Sequence, residues 1–165
     1  MLTHPVLLEG GCHVDACGSI SFVNGFTFDG VERFYWIQSA QVGKQRGWVE
    51  HQREHKWFTV VAGEVKVAVV KPDDWHSPRS DLPVARYVLS AVRPQVLHVP
   101  CWSRHHHLSA PRLPRTQEQG TKNKELRTKN PHALAILMVF SSGTIADAPS
   151  DDFRFPVSHW PLGTI

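Results

Sequence analysis

Apolar and polar residues alternate along this chain in short runs, and turn residues break those runs at intervals of roughly a dozen positions. Residues 19–23 alternate strictly and stop at Asn24-Gly25, a pair suited to a tight hairpin turn. Residues 32–37 are rich in aromatic and β-branched side chains. Residues 57–61 and 65–70 flank Ala62-Gly63-Glu64, which predicts a β-hairpin. Further β-type runs cover 85–89, 96–99 and 134–140. The last is continuously apolar, so periodicity alone allows a strand buried on both faces or a helix; its place in a repeating series favours the strand. No segment before Pro131 combines helical amphipathicity with a capping box. The expected fold class is all-β, a sandwich or barrel.

Length and composition narrow the picture. At 165 residues and 18.6 kDa the chain suits a single domain, 1–165, with a full hydrophobic core. An apolar fraction of 41% with 20% charged residues is ordinary for a globular protein and argues against wholesale disorder. The longest apolar run, residues 133–140, is far short of the roughly 20 residues that span a bilayer, so no membrane partner is expected. Met1-Leu2-Thr3-His4-Pro5 has no cationic stretch ahead of an apolar one; a cytoplasmic location is the expectation. Cys12, Cys17 and Cys101 are an odd set, and no second Cys/His pair completes a zinc site with Cys12-His13 and Cys17.

The net charge of +3 is unevenly placed. Arg104, Arg112, Arg115, Lys122, Lys124, Arg127 and Lys129 face only Glu118 and Glu125 across a stretch that also holds Pro111, Pro114 and Gly120. This predicts a basic loop insertion at about 104–130, either a solvated insertion or an anion-attracting lid. Its cations are not interleaved with aromatic residues for base stacking, so nucleic acid is not an expected partner.

Candidate chemistry concentrates in Arg46-Gly47-Trp48-Val49-Glu50-His51, followed by the β-type run that ends at Gly63. On a strand, positions 49 and 51 share a face, so a valine stands where a second inward imidazole would complete an acid/base pair. Glu50 falls on the opposite face as a solvated carboxylate. Tyr35 and Trp36 likewise face opposite ways, one toward a core and the other free to stack on a base or sugar.

The order Gly18-Ser19-Ile20-Ser21-Phe22-Val23-Asn24, Glu32-Arg33-Phe34-Tyr35-Trp36-Ile37, Arg46-Gly47-Trp48 and Leu97-His98-Val99-Pro100 resembles the sugar 3,4-ketoisomerase branch of the cupins, with Asp152-Phe153-Arg154-Phe155-Pro156 similar to the tail of its WxcM-like subgroup. These proteins are relatives of the dTDP-4-dehydrorhamnose 3,5-epimerases. The resemblance implies a cupin-type jelly-roll barrel and a homodimer without a cofactor. It also implies proton transfer α to the keto group of a dTDP-linked deoxysugar, in nucleotide-sugar and surface polysaccharide metabolism.

The family motif is Arg-Gly, any residue, His, any residue, His; Arg46, Gly47 and His51 match, and Val49 replaces the first histidine. His51 is then the surviving acid/base group, because imidazole titrates near neutrality, with Tyr35 as a second catalytic candidate. Arg46, Trp48, His105 and Arg33 are the substrate-binding candidates, Arg46 for phosphates or an enolate oxygen. Two other functions stay open. One is a sugar-nucleotide-binding cupin that has lost catalysis. The other is a metal-dependent cupin using His51, His55 and one of His105 or His107; the expected metal ligand set is none, since Val49 removes one expected ligand. An exposed edge at residues 19–23 is a further motive for dimer formation.

Overall fold

A computed structural model describes residues 4–101, 104–109, 134–146, 151 and 153–160. Its strands are β1 (Val6–Glu9), β2 (Gly11–Asp15), β3 (Gly18–Phe22), β4 (Arg33–Gln38), β5 (Trp48–Glu50) and β6 (Lys56–Ala62). They continue with β7 (Glu64–Val70), β8 (Val84–Ser90), β9 (Gln95–Val99), β10 (Arg104–Ser109), β11 (Ile136–Ser141) and β12 (Phe153–Phe155). A 3₁₀ turn, Val157–His159, follows β12. One five-stranded sheet runs β1-β9-β6-β11-β4 and a second runs β12-β5-β10-β7-β8, with β2-β3 as a separate hairpin. All pairings are antiparallel. This is the all-β, two-sheet jelly-roll arrangement expected from the sequence.

Strand periodicity explains the interior. In the first sheet Phe58 and Val60, Leu97 and Val99, and Leu137 and Val139 point inward. There they meet Val65, Val67 and Val69 of the second. The run at 134–140 is a strand, apolar on both faces because Leu137 and Val139 serve the core while Ile136, Met138 and Phe140 face the other way. The β6–β7 turn places Gly63 at φ 72°, where a Cβ would lie 3.0 Å from the Cα of Ala135; glycine alone satisfies both demands.

A second cluster covers the outer face of the second sheet: Trp48 and Trp160 pack with Ala68 and Val70, their rings 5.2 Å apart and edge-on. Trp160 Nε1 donates to the carbonyl of Arg79, anchoring the end of the described chain.

The basic stretch departs from its expected form. Arg104–Ser109 is not loop but β10, paired with β7 along its length and with β5 at Arg104 and His105. Residues 110–130 lie outside the described residues. β1, β2 and β12 were not foreseen either; each has five residues or fewer and too little alternation to register.

Candidate active site

The inner face of the first sheet is built in rows. Ile37, Leu137 and Val60 are register partners across β4, β11 and β6, and so are Tyr35, Val139 and Phe58. The next row is Arg33, Ser141 and Lys56. The same inward face that is apolar in mid-sheet therefore ends in a polar row, and there a cavity of about 890 Å³ opens between the sheets. Arg33, Tyr35, Val49, His51 and Lys56 line its interior; Lys44, Arg46 and Arg154 also border it.

Lys56 is 1% exposed. Its Nζ donates to Glu54 Oε2 in a close ion pair and to Ser141 Oγ at 2.8 Å. The Ser141 hydroxyl donates to the same Glu54 oxygen at 2.9 Å and accepts from the Gly143 amide at 3.2 Å. Arg33 Nη2 stands 3.7 Å from Glu54 Oε2, and His51 Nδ1 stands 3.8 Å from it. His51 Nδ1 is also 3.7 Å from Asp151 Oδ2. Gly143 has no room for a side chain, because a Cβ would collide with the Glu54 carboxylate.

Asp151 organises the turn that carries this chemistry. Its carboxylate accepts from the successive amides of Gln52, Arg53 and Glu54 at 3.0, 3.1 and 3.2 Å. A buried carboxylate accepting from three backbone donors is fixed in place, and it closes the loop between β5 and β6 around His51.

Burial alone would raise the Glu54 pKa, but the Lys56 hydrogen bond and charge, then Ser141 and His51, hold it below the ordinary carboxylate value. Burial pulls Lys56 below the ordinary lysine value, with Glu54 opposing the shift. The Arg33 guanidinium and the Lys56 ammonium lie 5.4 and 6.0 Å from the Tyr35 ring centroid, so the ring faces two cations. The buried inventory is thus one cation, two carboxylates and one imidazole, with the half-buried Arg33 beside them.

The structure brings together most of the sequence-derived candidates. His51, Tyr35 and Arg33 share the cavity, and Arg46 borders it. Trp48 also borders it, but its indole is 0% exposed and packed in the outer cluster against Trp160, where it supports the strand and offers no face to a ligand. His105 is opposite Val49 in the β10–β5 register; its side chain lies outside the described residues, as do those of His106 and His107.

His55 does not join His51. It stacks on Trp57 and His98, its Nδ1 3.0 Å from His98 Nε2, on the outer side of β6. Burial and the neighbouring His55 push His98 down to about 4, so this pair is neutral near pH 7. A metal set combining His51 with His55 is therefore not assembled. His51, Glu54 and Asp151 do offer ligand atoms within 4.8 Å of one another. Both carboxylates, however, are already engaged, one by the Lys56 ammonium and the other by three amides. Lys56 supplies the positive charge that a metal ion would bring.

Sequence reasoning missed Lys56, Glu54, Ser141 and Asp151. Lys56 was recoverable, since the inward alternation Val60, Phe58 continues to it.

No family model matches the sequence, and no curated protein matches it. Among solved structures, the sugar 3,4-ketoisomerase QdtA from Thermoanaerobacterium thermosaccharolyticum in complex with TDP superposes with a TM-score of 0.60 at 16% identity over 96% of this chain and 93% of that one. The dTDP-4-dehydrorhamnose 3,5-epimerase of Bacillus anthracis, with TDP and PPi bound, gives 0.63 at 17% identity over 97% and 86%. A dTDP sugar isomerase from Desulfovibrio desulfuricans G20 gives 0.67 at 12% identity over 98% and 92%. The chain shares the cupin-type jelly-roll fold of dTDP-sugar ketoisomerases and 3,5-epimerases.

Proposed function

We propose that this protein is a dTDP-keto-deoxysugar isomerase or epimerase that works by proton transfer α to the keto group. The observation that carries the reading is one imidazole, His51, set beside the buried carboxylates Glu54 and Asp151, with the buried Lys56 and the half-buried Arg33 next to it, at a cavity large enough for a nucleotide-sugar. His51 takes the proton from the carbon next to the carbonyl, and the C–H electron pair forms the C=C bond of an enediolate. The negative charge moves to the former carbonyl oxygen beside Lys56 and Arg33, while the imidazolium is balanced by Asp151 and Glu54. Opposite charges about 4 Å apart at such a site attract by roughly 4 kcal/mol before desolvation is counted. Reprotonation at the same carbon gives an epimer; at the neighbouring carbon, with a proton passed between the two oxygens, it gives the isomer. Tyr35 is placed to serve that second transfer. Lys44, Arg46 and Arg154 suit the diphosphate.

The test is incubation with dTDP-4-keto-6-deoxyglucose in heavy water, followed by NMR. Deuterium uptake at C3 reports proton abstraction even where no product accumulates, and its absence would end this reading in favour of a binding protein that has lost catalysis. Val49 favours that second reading, because it lines the cavity where the related motif keeps a histidine. Val49→His is accordingly expected to raise product formation by about tenfold or more, since a positioned acid/base group is typically worth 10²–10⁴. Unchanged turnover in the variant would show that Lys56 and Tyr35 already fill the role.

Arg46→Ala is expected to weaken dTDP binding by roughly 1.5–3 kcal/mol, the worth of a charge-assisted phosphate contact. Equal affinity of variant and parent by calorimetry would leave Arg46 a surface cation. In this reading the protein acts in nucleotide-sugar and surface polysaccharide metabolism in the cytoplasm, as a homodimer. Among the described residues no helix is long and apolar enough to cross a membrane.

A further inference from the structure

β5 lacks one of the two imidazoles that the related motif carries, and the strand beside it supplies a histidine in register. Val49 pairs directly with His105 of β10. The same row continues to Arg154 of β12 on one side and to Val69 of β7 on the other. Residues directly opposite one another on an antiparallel pair share a face of the sheet. Three members of the row fix which face this is. Arg154 and Val49 line the cavity, and Val69 belongs to the core between the sheets. Position 105 therefore falls in the cavity-side row, next to the valine.

The register singles out one of three consecutive histidines. His106 pairs with Ala68, which packs in the outer cluster with Trp48 and Trp160, so position 106 belongs to the other face. His107 returns to the face of His105, but it pairs with the core residue Val67, and the β5 pairing stops at His105. The spacing from His51 also fits. Two residues apart on one strand, positions 49 and 51 are separated by roughly 6.6–6.8 Å. Carried one residue past Glu50 and Arg104, the β5–β10 register makes 51 and 105 diagonal neighbours, about 7–8 Å apart. The two positions are equivalent in reach toward a sugar set against His51.

The chemistry needs such a group. In the proposed reaction His51 takes the carbon-bound proton, and a second group must move a proton between the two oxygens. Among the described residues, the titratable side chains that border the cavity, apart from His51 and Tyr35, are the cations Arg33, Lys44, Arg46, Lys56 and Arg154. A cation accepts no proton from a hydroxyl, whereas a neutral imidazole accepts and returns one near pH 7.

We propose that His105 is the second acid/base group of the site, taking over from β10 the role that an imidazole at position 49 would have on β5. This rests on the isomerase reading above. The O–H bond at the neighbouring carbon breaks and its proton passes to the imidazole. The former carbonyl oxygen takes that proton, directly or through Tyr35, and the imidazole returns to its neutral form. The electron pair left on the deprotonated oxygen forms the new carbonyl as His51 delivers its proton to the carbon of the old one. No proton is gained or lost.

The test follows two signals by NMR in heavy water with dTDP-4-keto-6-deoxyglucose: deuterium uptake at C3, which reports His51, and formation of the 3-keto isomer, which needs the second transfer. In His105→Ala, uptake should stay within about twofold of the parent while the isomer rate falls by about 10²–10⁴-fold. His105→Gln keeps a polar side chain and should lose the same; it carries the test if His105→Ala does not fold. His106→Ala should match the parent. Two positions that serve one role are non-additive, so Val49→His, worth about tenfold in the parent, should be worth about a hundredfold or more in His105→Ala. A merely structural role for His105 would not be rescued from the neighbouring strand. An unchanged isomer rate in both His105 variants, or the same gain from Val49→His in both backgrounds, overturns the proposal. So does a parent that takes up deuterium but forms no isomer, which leaves proton abstraction by His51 standing. Uptake that falls as far as the isomer rate would place His105 in abstraction or binding and overturns the oxygen-to-oxygen role. A parent without uptake ends the isomerase reading itself, and the role of His105 with it.

Discussion

His51→Ala is expected to slow deuterium uptake at C3 of the dTDP-keto-sugar by about 10²–10⁴-fold, the usual worth of a positioned general base. dTDP affinity should change little, because the cations suited to the diphosphate are Lys44, Arg46 and Arg154, whereas His51 stands beside Glu54 and Asp151. The loss belongs to chemistry and not to folding for a structural reason. The β5–β6 turn is held by the amides of Gln52, Arg53 and Glu54 on Asp151, and none of those bonds uses the His51 side chain. Asp151→Asn should therefore look different. It weakens the carboxylate that three amides share, and it should lower stability together with exchange. Measuring exchange and dTDP affinity on both variants separates the two roles. Exchange that persists in His51→Ala at the parent rate would place the base elsewhere in the cavity.

The fold was readable in the sequence wherever strands were long and alternated. β4, β6, β7, β8, β9 and β11 all lie on runs that the pattern marks, because one face of each feeds the same core, while β3 was marked by its alternation and the Asn24-Gly25 turn. β5 and β12 have three residues each and owe their existence to pairing with each other and, for β5, with β10, which no local pattern encodes. The site divides along the same line. His51 was visible through the motif it shares with Arg46 and Gly47, and Arg33 and Tyr35 through the aromatic, β-branched run that forms β4.

Trp48 shows the same rule applied incompletely. Strict alternation sets it opposite His51, and the structure buries its ring on that other side. Asp151 was not readable, since it meets His51 across one hundred positions of chain only through the closed fold. Glu54 carries no signal of its own; its role exists because Lys56 and Ser141, far apart in sequence, are neighbours across β6 and β11.

Lys56→Met is expected to destabilise the protein by about 3–5 kcal/mol, the usual cost of stranding one member of a buried ion pair. Glu54 would keep Ser141 and the more distant Arg33 but lose the cation it touches. Adding Glu54→Gln should recover much of the loss, because the second substitution removes the uncompensated charge; two partners in contact are non-additive in this way. The pH dependence has a definite sign. Glu54 is held below its ordinary value of 4.5, so its contribution is present above that pH and is lost as the pH falls through its folded-state value. Lys56 is also lowered in the folded state. Between that value and the 10.5 of an ordinary lysine, the unfolded chain binds the extra proton, and stability rises with pH across the window. Lys56→Met should abolish the alkaline rise, and Glu54→Gln should flatten the acid-side fall. Urea titrations of the parent, the two single variants and the double variant at several pH values measure all of this. Equal losses in Lys56→Met and in the double variant would show that the pair is not coupled. The polar row of Arg33, Ser141 and Lys56 would then be held by packing, and the electrostatic account of the enediolate would lose its support.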